Sequence, residues 1–204
     1  MNIVKFIPFF VLCFFANALK SQDAVSKRKL GLVVKTDILA PSLDWLISGS
    51  PSYSLSVEKF IGKRQSFQLS GYYSYNHSTE PSQIIYSSYQ IVPEYRFYPN
   101  DKQMHNGVYC GAYSRLINEH SYEIYSRSTD EFLYRSLELG VISGYQIYPF
   151  KHLVFDFLFG LGGRKVIYNK RIDSSPQSVH PESNYKQTQY LFGRLSINIG
   201  YIIN

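Results

Sequence analysis

Two short runs hold the residue types of a nucleophilic site. Asn76-His77-Ser78 with Glu80, and Glu119-His120-Ser121 with Glu123, each gather a hydroxyl, an imidazole and a carboxylate within a few residues. Such groups catalyse acyl transfer or hydrolysis only when held close together. Loops rich in Ser and Glu acquire a neighbouring His by chance, and neither run is patterned to be held rigid, so neither is assigned as catalytic. A larger set is Lys35, Asp37, Glu58, Glu94, Arg96, Glu138, Asp156 and Arg194. Each lies in a stretch of alternating polarity, on the polar parity, which would bring opposite charges together on one side of a sheet. Gly160-Leu161-Gly162-Gly163 has the composition of a phosphate loop, but no helix follows it, so small residues in a crowded interior are the expected reading. His77, His105, His120, His152 and His180 all fall in expected loops or turns, with no pair at metal-ligand spacing on one element. No metal or cofactor is expected.

What positions these groups is a repeated hairpin. From Leu133 to Tyr148, Leu137, Leu139, Val141, Tyr145 and Ile147 share one parity while Glu138, Gly140, Gly144 and Gln146 share the other. After a turn at Pro149 to His152, Leu153, Phe155, Phe157, Phe159 and Leu161 oppose Val154, Asp156, Leu158, Gly160 and Gly162. Side chains of a strand alternate faces with period two. One face here is strongly apolar and the other carries charge among glycines. A transmembrane barrel has this order, with apolar residues toward lipid and polar ones toward a narrow lumen.

The same alternation recurs along the chain. Leu30 to Leu39, Tyr53 to Phe60, Ser66 to Tyr75, Ile84 to Tyr98, Gly107 to Leu116 and Thr188 to Ile202 complete eight expected strands. Pro93 lacks a donor, which points to a bulge or kink in the fourth. In the fifth, Tyr109 and Tyr113 are placed outward and Cys110, Ala112 and Ser114 inward. The connections alternate, long after the odd strands and short after the even ones. Outer-membrane barrels pair short periplasmic turns with longer outside loops, which puts both termini in the periplasm. By strand direction, Glu58, Glu94, Arg96 and Asp156 then lie toward the periplasmic half of the lumen and Lys35, Asp37, Glu138 and Arg194 toward the outer half.

Composition agrees with an exported barrel. The chain has 204 residues with 19 Tyr and 14 Phe against one Trp, while the mean hydropathy is only -0.19. Amphipathic rings suit the interfacial belts of membrane barrels. Lys5, the apolar run Phe6 to Ala16 and the small residues after it read as a signal peptide over 1–21, with cleavage before Gln22 preferred to cleavage before Leu19. Bulky Val11 and Leu12 disfavour lipidation at Cys13. Removing Lys5 and Lys20 lowers the formal charge from +6 to +4, and no cluster of Lys and Arg interleaved with aromatics points to nucleic acid. Once Cys13 leaves, Cys110 stands alone, so no disulfide framework forms.

Val34-Lys35-Thr36-Asp37, Glu58-Lys59, Pro93-Glu94-Tyr95-Arg96-Phe97-Tyr98, Gly144-Tyr145-Gln146 and Gly160-Leu161-Gly162 resemble a domain-of-unknown-function family of small outer-membrane barrels. The likeness extends over most of the mature chain, and OmpA-like and OmpX-like barrels are similar in architecture only. The resemblance implies location and fold, since the family has no agreed activity.

The sequence thus leads to a single-domain, all-β, eight-stranded antiparallel up-and-down transmembrane barrel over 22–204, in the outer membrane of a Gram-negative bacterium. Its expected role is structural or surface-binding, not enzymatic. An enzyme acting on lipid A or peptides is the alternative, and a soluble lipocalin-like barrel is disfavoured by the charged inward parity. The expected partners are outer-membrane lipid and an extracellular ligand or protein, reached through the long loops Ile117 to Glu131 and Arg164 to Lys186, where Tyr122, Tyr125, Tyr168 and Tyr185 are the candidate contacts. A monomer is expected.

Overall fold

The computed structural model describes residues 31–39, 52–78, 83–100, 105–125, 128–173 and 190–203. The expected signal peptide, Glu80 and Tyr185 lie outside these residues. Eight strands follow one another: β1 (Leu32–Asp37), β2 (Ser52–Phe60), β3 (Gln65–Ser78), β4 (Gln83–Phe97), β5 (Gly107–Tyr125), β6 (Ser128–Ile147), β7 (Leu153–Asp173) and β8 (Tyr190–Ile203). Each pairs antiparallel with its sequence neighbours, and β1 pairs with β8 to close the barrel. Closure leaves no free edge where the ladder is complete, so every backbone polar group there has a partner within the sheet.

Polarity is inverted relative to a water-soluble barrel. Leu55, Leu69, Ile91, Leu139, Val141, Phe159 and Leu195 are exposed on the outside. Lys35, Glu58, Glu94, Arg96, Glu138 and Asp156 are buried inside. Two apolar clusters share the lumen with these charges. Val92, Tyr98, Tyr109, Tyr113, Ile142 and Leu158 form one, and Val33, Tyr148, Val154 and Ile202 form the other.

Several expectations are corrected. Tyr109 and Tyr113 point inward, at 0% and 4% exposure, while Cys110 is exposed on the outer face. The cause is the opposite strand: Tyr109 pairs with Gly144 and Tyr113 with Gly140, and these glycines leave the space the rings fill. Pro93 interrupts the ladder, as its missing donor leads one to expect, but without a bulge. The β4–β5 ladder omits Val92 and Pro93 and resumes in the same register, from Ile91 opposite Leu116 to Glu94 opposite Tyr113.

The long loops are largely strand. β5 runs to Tyr125 and is paired with β6 as far as Ser128, so most of 117–131 is a hairpin. β7 likewise continues through Lys165 to Asp173. Alternating polarity marks a strand only where its two faces meet different media, and these extensions are polar on both sides. One end of the barrel therefore has tight turns, such as that at 61–64, and the other has a tall wall built from β5, β6 and β7.

The ring-for-glycine fit is testable. A Cβ at Gly140 would meet the Tyr113 ring and the Leu161 carbonyl oxygen, whereas nothing lies near one at Gly163. Gly140→Val is expected to cost about 1–3 kcal/mol through overpacking, and Gly163→Val to stay within about 0.5 kcal/mol. Urea midpoints of the folded gel band check both, and equal midpoints would show that the rings do not depend on the glycine.

Candidate functional site

The lumen charges form one connected chain. The Lys35 ammonium donates to Gln146 Oε1 at 2.6 Å and Asp156 Oδ2 at 2.9 Å, and pairs with Glu58 Oε2 at 2.6 Å. Asp156 accepts from Arg96 at 2.7 Å through Oδ2 and from the Tyr109 hydroxyl at 2.7 Å through Oδ1. Arg96 also donates through Nε and a terminal nitrogen to Glu94 Oε2, at 3.1 and 2.7 Å. Glu94 then accepts from Arg194 at 2.6 Å through Oε1, and Arg194 donates onward to the Tyr72 hydroxyl at 2.8 Å. Glu58 Oε1 accepts from Ser66 and, at 3.0 Å, from Tyr98. Alternation supplies one inward group every second residue, and the closed barrel brings the charged ones of five strands, β1, β2, β4, β7 and β8, into this chain, with Ser66 and Tyr72 of β3, Tyr109 of β5 and Gln146 of β6 bonded to them.

The remaining assigned charges sit to the sides of it. Asp37 accepts from Ser196 at 2.6 Å, and its backbone N–H donates to Ser54 Oγ at 2.6 Å. Glu138 accepts from the Tyr113 hydroxyl and pairs with Arg115 at 3.5 Å. The expected separation into two halves does not occur for Lys35, which joins Glu58 and Asp156, nor for Glu94 and Arg194, which bond directly.

Sequence reasoning missed three members. Arg115 donates to Gln90 Oε1 at 2.9 Å through Nε as well as pairing with Glu138. Arg164 bonds Ser136 Oγ at 2.8 Å and Glu119 Oε2 at 2.7 Å. Arg115 was lost with the facing of β5, since it shares the parity of Tyr109 and Tyr113. An arginine in mid-strand on a lipid face was the available signal that this parity is the inner one. Glu119 and Arg164 lie in stretches read as loops.

Energetics favour a static network. Ions in a low-dielectric interior must be paired and hydrogen-bonded, because an uncompensated charge there is costly. An eight-stranded barrel has an interior that side chains just fill, and Val92, Glu94, Arg96 and Tyr109 are all at 0% exposure. Space opens toward the tall end. A cavity of about 440 Å³ lies there, lined by Asp37, Tyr72, Tyr86, Gln90, Arg115 and Arg194 among others. Its wall is polar and aromatic, with the two guanidiniums already engaged to Gln90, Glu94 and Tyr72.

The runs with catalytic residue types are pulled apart by the strand period. Glu119 faces inward to Arg164, whereas His120 bonds Glu131 at 2.7 Å and meets the Tyr122 ring, tilted by 46°, at 4.3 Å between centroids. His77 is exposed on β3, and Glu80 lies outside the described residues. Among the described residues no three His, Cys, Asp or Glu side chains gather as a metal site.

Of the four tyrosines assigned to the two long loops, the three within the described residues lie on strands. Tyr122 is on β5 and Tyr168 on β7, where the ring is 42% exposed with the Arg135 guanidinium 5.5 Å from its centroid. Tyr125 ends β5.

None of the curated proteins compared matches the chain. Among solved structures, Neisserial surface protein A (NspA) aligns with 85% of this chain and 97% of its own at 14% identity and a TM-score of 0.43. The family model described as "Protein of unknown function (DUF3575)" matches residues 9–203, and the chain belongs to that family.

Proposed function

We propose that the protein is a small barrel of the bacterial outer membrane with a structural or surface-binding role, its lumen closed by the ion network and its partners met at the tall end. The observation that carries this reading is the inverted polarity: large apolar side chains such as Val141 and Leu195 stand 64% and 62% exposed while Arg96 and Asp156 are inaccessible. Water would penalise both halves of that pattern, and lipid outside with paired ions inside satisfies both. The outer wall is then committed to lipid and the lumen to ion pairs. What remains for recognition is the wall that β5, β6 and β7 raise beyond the belt, together with the mouth cavity beside it. Short turns belong to the periplasmic end, so both termini are periplasmic.

Cysteine labelling in intact cells tests placement and orientation together. Asn169 is exposed on the tall wall, Lys63 is in a tight turn, and Cys110 is on the outer face of β5 within the apolar belt. A membrane-impermeant maleimide is expected to label Asn169→Cys and to spare both Lys63→Cys and the native Cys110. Labelling of Lys63→Cys alone would invert the topology, and labelling of none before lysis would remove the protein from the cell surface.

A further inference from the structure

The outward face of β6 and β7 changes character sharply at one height. Paired residues on this face run Tyr145–Phe157, Ser143–Phe159, Val141–Leu161, Leu139–Gly163, Leu137–Lys165, Arg135–Tyr168 and Leu133–Lys170. The lower four pairs are apolar apart from Ser143 and the Tyr145 hydroxyl, and the upper three bring Lys165, Arg135 and Lys170 onto the outer wall within three successive positions. With a rise of about 3.3 Å per residue and a tilt of about 40°, Arg135 stands about 25 Å above Tyr145. The apolar band of a membrane barrel is about 25 Å tall. Lys165, opposite Leu137 and about 20 Å above Tyr145, therefore lies just under the upper border, within reach of it by its long side chain, and Arg135 and Lys170 lie at and above it.

Two structural features hold them there. The register shifts between Arg135 and Ser136, because Ile167 is an extra residue in β7. Simple alternation from Lys165 would turn Ile167 and Asn169 outward; the bulge turns Tyr168 and Lys170 outward instead, as bulges commonly re-aim side chains. The Tyr168 ring then lies under the Arg135 guanidinium, 5.5 Å from centroid to carbon, which keeps this cation on the outer wall. Arg135, Lys165 and Lys170 are all exposed, and among the described residues no carboxylate pairs with any of them. The lumen arginines, by contrast, are matched with acids.

We infer that Arg135, Lys165 and Lys170 form a site for the phosphate of an anionic lipid headgroup in the leaflet facing the cell exterior. This rests on the membrane placement proposed above. A lipid whose chains lie against Leu137, Leu139 and Val141 presents its phosphate at the height of the three cations, and a guanidinium with two ammoniums matches its charge and its acceptor oxygens. Membrane geometry supplies the approach, since a lipid in contact with the wall already has its headgroup at the rim.

Native mass spectrometry of the full-length barrel, released from micelles holding equal phosphatidylglycerol and phosphatidylcholine, tests the site. The ratio of the two adducts is expected to favour phosphatidylglycerol and to fall by about tenfold or more in R135Q/K165Q/K170Q, since each basic residue near a membrane surface contributes substantially to anionic-lipid attraction. Arg135→Gln alone should lower it in part, and Lys63→Gln/Arg64→Gln at the opposite rim should leave it unchanged. An unchanged ratio in the triple variant, or an equal fall at the opposite rim, overturns the assignment. Displacement of phosphatidylglycerol by inorganic phosphate would make the site one for soluble anions and also overturns it. Failure of the wild type to insert into vesicles of the same lipids would instead overturn the membrane placement itself.

Discussion

Arg96→Met is expected to cost about 3–5 kcal/mol, the loss typical of removing one partner from a buried ion network. Arg96 is at 0% exposure and is the bridge between Asp156 at 2.7 Å and Glu94 at 2.7 Å. Without it Asp156 keeps Lys35 and Glu94 keeps Arg194, but the lumen holds one more uncompensated negative charge far from water. Removing Glu94 as well restores the balance, so Arg96→Met/Glu94→Gln should be more stable than Arg96→Met alone. Coupling within such a network is about 0.5–3 kcal/mol. Urea midpoints for the two single variants and the double variant measure it, and additive losses would mean that the two side chains do not interact.

Val141→Arg is expected to cost about 2–4 kcal/mol near the middle of a bilayer, and Phe157→Arg less, since Phe157 stands opposite Tyr145 at the lower end of the apolar run. Phe157 is on the outer face of β7 at 38% exposure, opposite Tyr145 on one side and Ile197 on the other. Val141 and Leu195 give sites on other strands, and the losses from Arg at each should rank by depth. On a water-soluble surface the same changes would stay within about 0.5 kcal/mol. Refolding into vesicles of a single lipid and titrating with urea reads the difference, and uniformly small losses would place this face in water.

The legible part of the fold was the part whose two faces meet different media. In Leu153 to Leu161 each outward residue is apolar and each inward one small, charged or packed, so both strand and facing could be read from period two. β5 between Val108 and Ser114 offered only Tyr, Cys, Gly and Ala, which fit either face. Its facing depended on Gly140 and Gly144 of the neighbouring strand, a pairing visible only once the register is known. Above the belt, polar residues on both faces erased the signal, so 117–125 and 164–173 read as loops although they are paired strand. The bulge at Ile167 reverses parity within that stretch and would defeat any strict alternation. Charges on the polar parity were identifiable as inward groups, but their partners were not. Lys35 reaches Asp156 across the lumen, at a sequence distance that no local pattern encodes.

The inverted barrel is tested most directly by refolding the mature chain from denaturant into phosphatidylcholine vesicles without detergent. The expected result is an unboiled gel band that migrates faster than the boiled one, with β-sheet circular dichroism that appears only when vesicles are present. A chain that becomes monodisperse and β-structured in plain buffer, with identical boiled and unboiled migration, would contradict a barrel whose apolar wall faces lipid.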